Sequence, residues 1–394
     1  MFPYDPIAAV TAPDPYPCYA ELVARGGIYR DDTLGLWIAA SADAVTAVLS
    51  SAFCRVRPVD EPIPRALLGS SAADIFRYLV RMNDGRSHCS LKQAVSATCA
   101  SIEAGEVAKR SKLWARVLID ELRPLDDHTR LSDFAFRLPV YVIGDLLGVP
   151  HIMLPLAAAS VSAFVRCLVP ASSPEQLEEG NVAAMTLLDL FHAGVDQGCY
   201  SDGLLAVLVQ EAQRVGYDDP TISVANAIGL LVQAHEATAG LIGNTLVALA
   251  TRQELREQVM DDLTLLDPVI QEVLRYDPPV QNTRRFVAQN GQIAGQELHV
   301  GDTVLVLLAA ANRDRRANPN PDRFELWRND RRIFTFGLGA HGCPGTALAQ
   351  TIARSGVEQL MLAGLDVEQL AEKVMYRAAT NTRIPLFGAH GGNR

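Results

Sequence analysis

The sequence predicts a mainly α-helical fold with small β-sheets. Several long stretches carry apolar residues at helical spacing, whereas only two short runs have the character of strands. No internal repeat, low-complexity segment or long Gly/Ser linker divides the 394 residues. We therefore expect a single domain over residues 1–394, ending in a short flexible tail at 389–394.

The predicted elements follow from these patterns in chain order. A strand-like run at 35–40 comes first, and a second one at 303–308 is surrounded by turn residues. A helix-like run at Thr346–Leu362 follows a glycine-rich segment near the C-terminus. Between them, helical spacing predicts helices at 91–122, Leu131–Leu147, 182–194, 202–214, 222–249 and, with breaks, 253–276.

Composition narrows the class of protein. Lys plus Arg total 35 against 45 for Asp plus Glu, and this net charge of -10 argues against a general nucleic-acid binder or a polybasic membrane-surface protein. The apolar stretch at 152–165 is interrupted by Pro155 and is shorter than the ~20 residues that span a bilayer. The N-terminal segment also lacks the basic start and apolar run of a secretory signal. We expect a soluble, cytoplasmic monomer without a nucleic-acid or membrane partner.

The most informative segment is the run FGLGAHGCPG at 336–345, which crowds glycines around Cys343. Six fixed positions of this kind would match by chance on the order of once in 10⁸ starts. Glycines let the loop turn tightly and bring backbone amides close to the sulfur. The helix that follows adds positive potential at its N-terminus, so a thiolate at Cys343 would be ready to bind a soft metal centre.

With this segment the sequence resembles the cytochrome P450 superfamily of haem-thiolate monooxygenases, in its soluble bacterial form. The resemblance implies a helical prism around a buried haem b, with Cys343 as the axial ligand of the iron and Phe336, Gly337 and Gly345 as further haem-binding residues. The remaining cysteines are expected to be bystanders: Cys18, Cys54, Cys89, Cys99, Cys167 and Cys199.

The resemblance also implies cations for the haem propionates. His88 and Lys92 match the family's histidine and arginine that approach a propionate, and the lysine supplies charge without a bidentate fork. Arg285 and His341 match the other propionate-binding positions.

A helix-locking network is the next implication of the resemblance. Glu272 and Arg275 lie three residues apart on one helical face, and Arg323 follows downstream. The three side chains are expected to join this helix to the segment before the cysteine. An ordinary surface pair of Glu272 and Arg275 is the alternative.

The segment that matches the family's distal helix, at 232–240, departs from the usual pattern. Glu236 occupies the acid position, but Ala237 stands where a proton-relay threonine is expected, and Thr238 is rotated by roughly 100° around the helix. Gln233 lies one turn before Ala237 on the same face. We hypothesise that Gln233, a substrate hydroxyl or water supplies the missing hydrogen bond, with Glu236 connecting to solvent. The alternative is that Gln233 and Thr238 only satisfy the helix or its neighbours.

The resemblance implies an enzyme that inserts one oxygen atom from O2 into a small organic substrate, as a tailoring step in secondary-metabolite biosynthesis. Because Ala237 lacks the hydroxyl, radical coupling, desaturation or another atypical reaction is an alternative, and a non-catalytic haem-binding ligand sensor is a second one. Polar side chains in the implied pocket favour a polar-decorated natural product: Gln281, Asn282, Thr283, Thr380 and Asn381.

The resemblance further implies electrons from a ferredoxin and its ferredoxin reductase. Residues 313–332 contain seven arginines and four acidic residues, a local charge of 7 - 4 = +3 in an acidic chain. Such a segment could dock an acidic ferredoxin, and a solvated face unrelated to docking is the alternative.

Overall fold

The computed structural model describes residues 5–169, 171–196 and 203–388, which are mostly helical. The tail predicted at 389–394, and Cys199, lie outside the described residues. The α-helices are α1 (Tyr16–Arg25), α2 (Ala42–Leu49), α3 (Ser71–Tyr78), α4 (Gly85–Ala100), α5 (Ala104–Leu122), α6 (Leu131–Leu147), α7 (Leu154–Cys167), α8 (Pro174–Asp196), α9 (Leu204–Arg214), α10 (Pro220–Ala250), α11 (Gln253–Asp261), α12 (Leu266–Tyr276), α13 (Leu308–Asn312) and α14 (Thr346–Leu362).

The strands are short, and those described form small sheets at one side of the helices. They are β1 (Ile28–Asp31), β2 (Leu36–Ala39), β3 (Cys54–Arg55), β4 (Thr283–Val287), β5 (Gly291–Ile293), β6 (Gln296–Leu298), β7 (Thr303–Val306), β8 (Val374–Tyr376) and β9 (Pro385–Phe387). The largest sheet has the order β1-β2-β7-β4-β3, and β5–β6 and β8–β9 form two-stranded sheets. Strands β2 and β7 form a parallel pair, which joins the N-terminal region to the segment that follows α12.

The predicted fold class is confirmed, and two predicted helices, α6 and α14, have the expected bounds. The single helix predicted at 91–122 is wrong, because the chain turns between α4 and α5. Ser101 ends α4: its amide donates to the carbonyls of Ala97 and Thr98, and its hydroxyl also donates to Thr98. Helices α1, α2 and α3 are not predicted, because eight to ten residues give too few turns for a clear period.

Helix α10 passes through the interior of the helical layer. Asp219 caps its start by accepting a hydrogen bond from the Thr221 amide, and Pro220 occupies the first turn, where its missing amide proton costs nothing. Most of the helix is buried, because it packs against α6, α8 and α14. Despite this apolar character, none of the helices in the described ranges could span a membrane.

One short face of α10 is partly accessible, although most of the helix is buried. The residues of this face are Gln233, Ala234, Glu236 and Ala237, whereas the neighbouring His235 and Thr238 are buried. Before and after this face, other residues pack closely against the helix. A Cβ atom at Gly229 would lie 2.8 Å from Leu79, and one at Gly240 would lie 2.6 Å from Pro279. The accessible face therefore lies between these two close contacts.

A buried charge cluster joins α12 to the segment at 313–332. Glu272 and Arg275 have fully buried side chains and pair at 2.7 Å. The Glu272 carboxylate also lies 2.9 Å from Arg331 and 3.5 Å from Arg328, and it accepts a hydrogen bond from the Glu325 amide. Burial alone would raise the pKa of Glu272, but the hydrogen bonds from Arg275 and from the Glu325 amide hold it below its usual value.

The predicted partner Arg323 contributes only its backbone to this cluster. Its carbonyl accepts a hydrogen bond from Arg275 at 2.9 Å, while its side chain is exposed. The expected network of Glu272, Arg275 and Arg323 side chains is therefore wrong in its third member. The chain folds back after Arg323, so that Arg328 and Arg331 reach the carboxylate instead.

The arginines of this segment are divided between the interior and the surface. The side chains of Arg313, Arg328 and Arg331 are at most 14% exposed and make ion pairs within the fold. Two acidic residues, Asp322 and Asp330, are exposed together with four arginines: Arg315, Arg316, Arg323 and Arg332. Part of the local positive charge predicted from the sequence is therefore paired inside the protein and does not face solvent.

Replacing Glu272 by glutamine would leave three buried arginines without their carboxylate. We expect the free energy of unfolding to fall by about 3–5 kcal/mol in Glu272→Gln, measured by urea denaturation. The matched control Glu254→Gln removes an exposed carboxylate on α11 and should change the free energy by less than about 0.5 kcal/mol. A loss in Glu272→Gln as small as that of the control would contradict a role for this cluster in holding the segment.

Candidate active site

The glycine-rich loop presents an exposed Cys343 just before α14. The Cys343 amide donates to the Phe336 carbonyl at 2.8 Å and closes the loop. Gly337 and Gly339 have φ angles of 68° and 64°, in the left-handed region that favours glycine. A Cβ atom at Gly337 would also lie 3.3 Å from the His341 carbonyl. Backbone geometry thus explains why glycine is needed where the loop turns.

The remaining residues near the sulfur are Gly345 and Cys99. A Cβ atom at Gly345 would lie 3.9 Å from the Cys343 Sγ, which is an ordinary contact, so space alone does not require glycine there. Burial, and then the neighbouring Cys343, raise the pKa of Cys99 to about 11. Cys99 is therefore a neutral thiol at neutral pH.

Two predicted histidines connect the cysteine loop to the segment before α4. The His341 Nε2 lies 3.0 Å from the Asp84 carboxylate, and the two imidazole rings are 4.0 Å apart. The ring nitrogens of His88 lie 2.8 Å from the Val80 carbonyl and 3.1 Å from the Ala340 carbonyl. Burial lowers the pKa of His341, and its bond to Asp84 opposes this. His88 therefore serves here as a link between two backbone segments.

Two predicted cations lie beside the same loop and make no ion pair with the residues that the structure describes. Lys92 is partly buried and donates to the Gly342 carbonyl. Arg285 is 8% exposed and donates to a neighbouring backbone carbonyl at 2.9 Å. Burial lowers the pKa of both side chains, opposed by Cys343 for Lys92 and by Asp84 for Arg285. A ligand that brings its own carboxylates would stabilise both charges.

On α10 the predicted acid is accessible and the nearby threonine is not. Glu236 and Ala237 are partly accessible, whereas Thr238 is fully buried and its hydroxyl makes no hydrogen bond with the residues that the structure describes. The Gln233 amide nitrogen donates to the Gly229 carbonyl, one turn earlier, at 3.0 Å. The nitrogen of Gln233 thus satisfies the helix, as the alternative interpretation expects. A hydrogen-bonding role for its amide oxygen stays a prediction.

Arg377, which no sequence pattern indicates, holds Glu236. Its guanidinium pairs with the Glu236 carboxylate and lies over the Phe136 ring, 5.1 Å from the ring centre. The two residues are 141 positions apart, so no sequence pattern predicts the pair and only the fold reveals it. The adjacent His235 is buried with its Nδ1 3.2 Å from the Phe136 carbonyl, and burial lowers the pKa of His235 to about 4. His235 is therefore uncharged at neutral pH.

Two of the polar residues assigned to the pocket do not offer their amide nitrogens to a ligand. Gln281 and Asn282 are buried, and their amide nitrogens donate to the carbonyls of Pro278 and Thr380 at 2.7 and 2.9 Å. The Asn282 bond joins the segment after α12 to the segment before β9, whereas the Gln281 bond is local. Thr380 and Asn381 are exposed, as a role at the pocket requires. The inference of a polar-decorated substrate therefore loses part of its support.

A mainly helical fold with an exposed cysteine beside a partly buried lysine and a buried arginine fits a haem-thiolate protein. The family model described as "Cytochrome P450" matches residues 171–362. Over 359 residues the chain is 30% identical to the "Cytochrome P450 monooxygenase PikC" of Streptomyces venezuelae, an alignment that covers 89% of this chain and 84% of that protein. This chain therefore belongs to the cytochrome P450 family.

Further relatives agree with this assignment. The "Vitamin D(3) 25-hydroxylase" of Pseudonocardia autotrophica is 31% identical over 312 residues, covering 76% of this chain and 74% of the relative. The crystal structure of CalO2 has the same fold, with a TM-score of 0.83 at 24% identity over 98% of this chain and 97% of that one. The predicted family and fold are thus confirmed.

Membership of the family defines the cofactor and the general reaction. The cofactor is haem b, and the protein is an oxidoreductase, a monooxygenase that acts on small molecules with O2. The residues around Cys343 fit this group, because haem carries two propionate carboxylates and an iron that takes a thiolate ligand. The partly buried Lys92 and the buried Arg285 supply positive charge for such carboxylates.

Substitution of the cysteine tests its predicted role as the iron ligand. We expect Cys343→Ser to lose the Soret band that marks a thiolate-ligated ferrous carbon monoxide complex. The control Cys89→Ser changes an exposed cysteine on α4 and should keep this band and its full haem content. An unchanged carbon monoxide spectrum in Cys343→Ser would exclude Cys343 as the ligand.

Proposed function

We propose that this enzyme inserts one oxygen atom from O2 into a small organic molecule, as a tailoring step in secondary-metabolite biosynthesis. The observation that carries the proposal is the exposed Cys343 in its glycine loop, flanked by the partly buried Lys92 and the buried Arg285. A relative named as a monooxygenase and another named as a hydroxylase support oxygen insertion rather than another outcome. The same names favour an enzyme over a ligand sensor.

In this proposal the haem is held from one side by the cysteine loop. Cys343 ligates the iron, and Phe336, Gly337 and Gly345 shape the loop around it. When bound, the haem supplies the activation of O2. Lys92 and Arg285 are the strongest candidates to neutralise the two propionates. The other two predicted residues, His88 and His341, connect the cysteine loop to the segment before α4.

Proton supply is assigned to the accessible face of α10. Glu236 passes protons from solvent to the site, and its pairing with Arg377 holds the carboxylate in place. Ala237 contributes no hydroxyl, and the buried Thr238 hydroxyl cannot replace it. Water, a substrate hydroxyl or the amide oxygen of Gln233 completes the relay.

One observation favours a second candidate reaction. Without a hydroxyl at Ala237, the protons that insertion of oxygen needs reach the site less directly. Substrate radicals could then follow another course, such as coupling or desaturation. Both candidates share the haem, the cysteine ligand and the need for electrons, so the product distinguishes them.

Turnover under labelled oxygen tests the proposal directly. Substrates are first found by a screen for the spin-state shift of the ferric enzyme, and the reaction is then run with a ferredoxin and its reductase under ¹⁸O2. We expect one ¹⁸O atom in the product. A product that is coupled or desaturated, and carries no label, would replace oxygen insertion by the second candidate.

Restoring the hydroxyl tests the proton relay. We expect Ala237→Thr to raise the product formed per electron consumed about two- to tenfold, because protons reach the site by a shorter path. The control Ala234→Thr adds the same hydroxyl at a neighbouring accessible position and should leave this ratio unchanged. Equal coupling in wild type and Ala237→Thr, together with an inert Gln233→Ala, would contradict the proposed relay.

The electron donor is proposed to be a ferredoxin, reduced by a ferredoxin reductase, that docks at the exposed arginines before the cysteine loop. Four arginines and two acidic residues face solvent there, and Trp327 is 73% exposed among them. Positive charge at this surface would attract an acidic partner, and an exposed aromatic ring suits the centre of an interface. We further propose that residues 1–394 form one domain and act in the cytoplasm as a monomer.

Charge reversal at the surface tests the docking site. We expect Arg323→Glu to slow reduction by a ferredoxin about fivefold or more at low ionic strength and to weaken the dependence of the rate on salt. The control Lys109→Glu, at an 80% exposed side chain on α5, should change neither. Both variants should react with dithionite at the wild-type rate. Equal slowing in the two variants would contradict a docking site at Arg323.

A further inference from the structure

Arg383 connects the N-terminal segment at 10–13 to the end of α12 through one buried guanidinium. Its side chain is 2% exposed, and its Nε donates to the Asp277 carboxylate at 3.0 Å. The two terminal nitrogens donate to backbone carbonyls, at 3.0 Å to Val10, 2.6 Å to Ala12 and 2.9 Å to Pro13. Every nitrogen of the guanidinium is therefore used, which holds the side chain in one orientation.

The same guanidinium supports the small sheet of β8 and β9. It lies over the Tyr376 ring, 3.4 Å from the ring centre, and Tyr376 pairs with Pro385 between the two strands. The Arg383 amide also donates to the Pro279 carbonyl at 2.7 Å. Side chain and backbone of Arg383 together fix this sheet relative to the N-terminal segment and α12.

Arg377, the partner of Glu236, follows β8 directly. Its amide donates to the Ile384 carbonyl at 2.9 Å, next to Arg383 along the chain. The Arg377 Nε is buried and makes no hydrogen bond with the residues that the structure describes, although another nitrogen of the group pairs with Glu236. Because few contacts hold the guanidinium itself, the direction of the Arg377 side chain depends on where its backbone is placed.

A continuous series of contacts therefore runs from the N-terminal segment to the accessible face of α10. It passes from the carbonyls at 10–13 to Arg383, from Arg383 to Tyr376 and Ile384, and from there to Arg377 and Glu236. Each step is a hydrogen bond, an ion pair, a stacked ring or a bond along the chain. A displacement of Arg383 would be transmitted to the Glu236 carboxylate.

We infer that Arg383 is a positioning residue for the pair of Glu236 and Arg377, and that the N-terminal segment at 10–13 anchors it. The inference deepens the proposed function, because it rests on Glu236 as the residue that passes protons to the site. The alternative is that Arg383 only attaches the N-terminal segment to the fold. A double-mutant cycle separates the two, since a residue that acts through Arg377 has no further effect once Arg377 is replaced.

The test uses carbon monoxide bound to the ferrous holoenzyme, because its C–O stretching frequency responds to nearby charges. We expect Arg377→Gln to shift this frequency. Arg383→Lys should shift it in the same direction, by about half as much or more, because one ammonium group cannot replace the planar fork. The double variant should show the shift of Arg377→Gln alone.

The product formed per electron consumed gives a second readout, with a substrate found by the spin-state screen. We expect this ratio to fall about two- to fivefold in Arg383→Lys, in Arg377→Gln and in the double variant alike. Tyr376→Leu removes the stacked ring and keeps the hydrogen bonds of Arg383, so it should reproduce the effect of Arg383→Lys. It also keeps the test decisive if Arg383→Lys does not fold.

The matched control is Arg256→Lys, at another buried arginine. Arg256 is 9% exposed, donates to the carbonyls of Leu249 and Ala250 at the end of α10, and pairs with Glu368 at 2.9 Å. This variant should lower the free energy of unfolding, because it leaves buried carbonyls unpaired. It should leave the C–O stretching frequency and the product ratio at their wild-type values.

Three results would overturn the inference. One is a wild-type frequency and ratio in both Arg383→Lys and Tyr376→Leu. Another is a full additional effect of Arg383→Lys in the Arg377→Gln background. The third is the same change in Arg256→Lys, which would reduce the role of Arg383 to general stability. Failure of the proposed function gives different results: no effect of Arg377→Gln would refute the relay at Glu236 together with the inference, and a wild-type product without ¹⁸O would refute oxygen insertion.

Discussion

The buried contact between Glu272 and its three arginines is the constraint on which the site depends. It holds the segment at 313–332 against α12, and this segment leads directly into the cysteine loop. Asn312 strengthens the same connection, since it donates to the Leu274 carbonyl and accepts from the Phe334 amide. Burying four charges costs solvation free energy, so this cluster is better explained by its role in positioning the segment at 313–332 than by net stabilisation. Because that segment leads into the cysteine loop, the cluster also fixes where the loop begins.

Two charge arrangements then distinguish the two sides of the site. At the cysteine loop, the partly buried Lys92 and the buried Arg285 make no ion pair with the residues that the structure describes, which suits a cofactor that brings its own carboxylates. At α10, the Glu236 carboxylate pairs with Arg377. The cysteine loop therefore offers positive charge to a ligand, whereas the charges of Glu236 and Arg377 balance each other.

Features that lie within one short stretch of chain could be predicted. The loop around Cys343 is such a stretch, and the structure closes it through glycine conformations that the sequence implies. Predictions failed where a segment folds back on itself. Spacing could not tell that Arg328 and Arg331, rather than Arg323, would meet Glu272. Nor could it tell that the amide nitrogen of Asn282 would donate to the Thr380 carbonyl, because the two residues are 98 positions apart.

The sequence by itself determined the helical class, the cysteine loop and the family, because periodicity and a dense local motif record contacts along one helix or one loop. Only the tertiary structure decided which charges meet. Glu236 pairs with Arg377 across 141 positions, and His341 pairs with Asp84 across 257. Such pairs arise from the packing of whole elements, and no spacing in the chain encodes the distance between two side chains that only packing brings together.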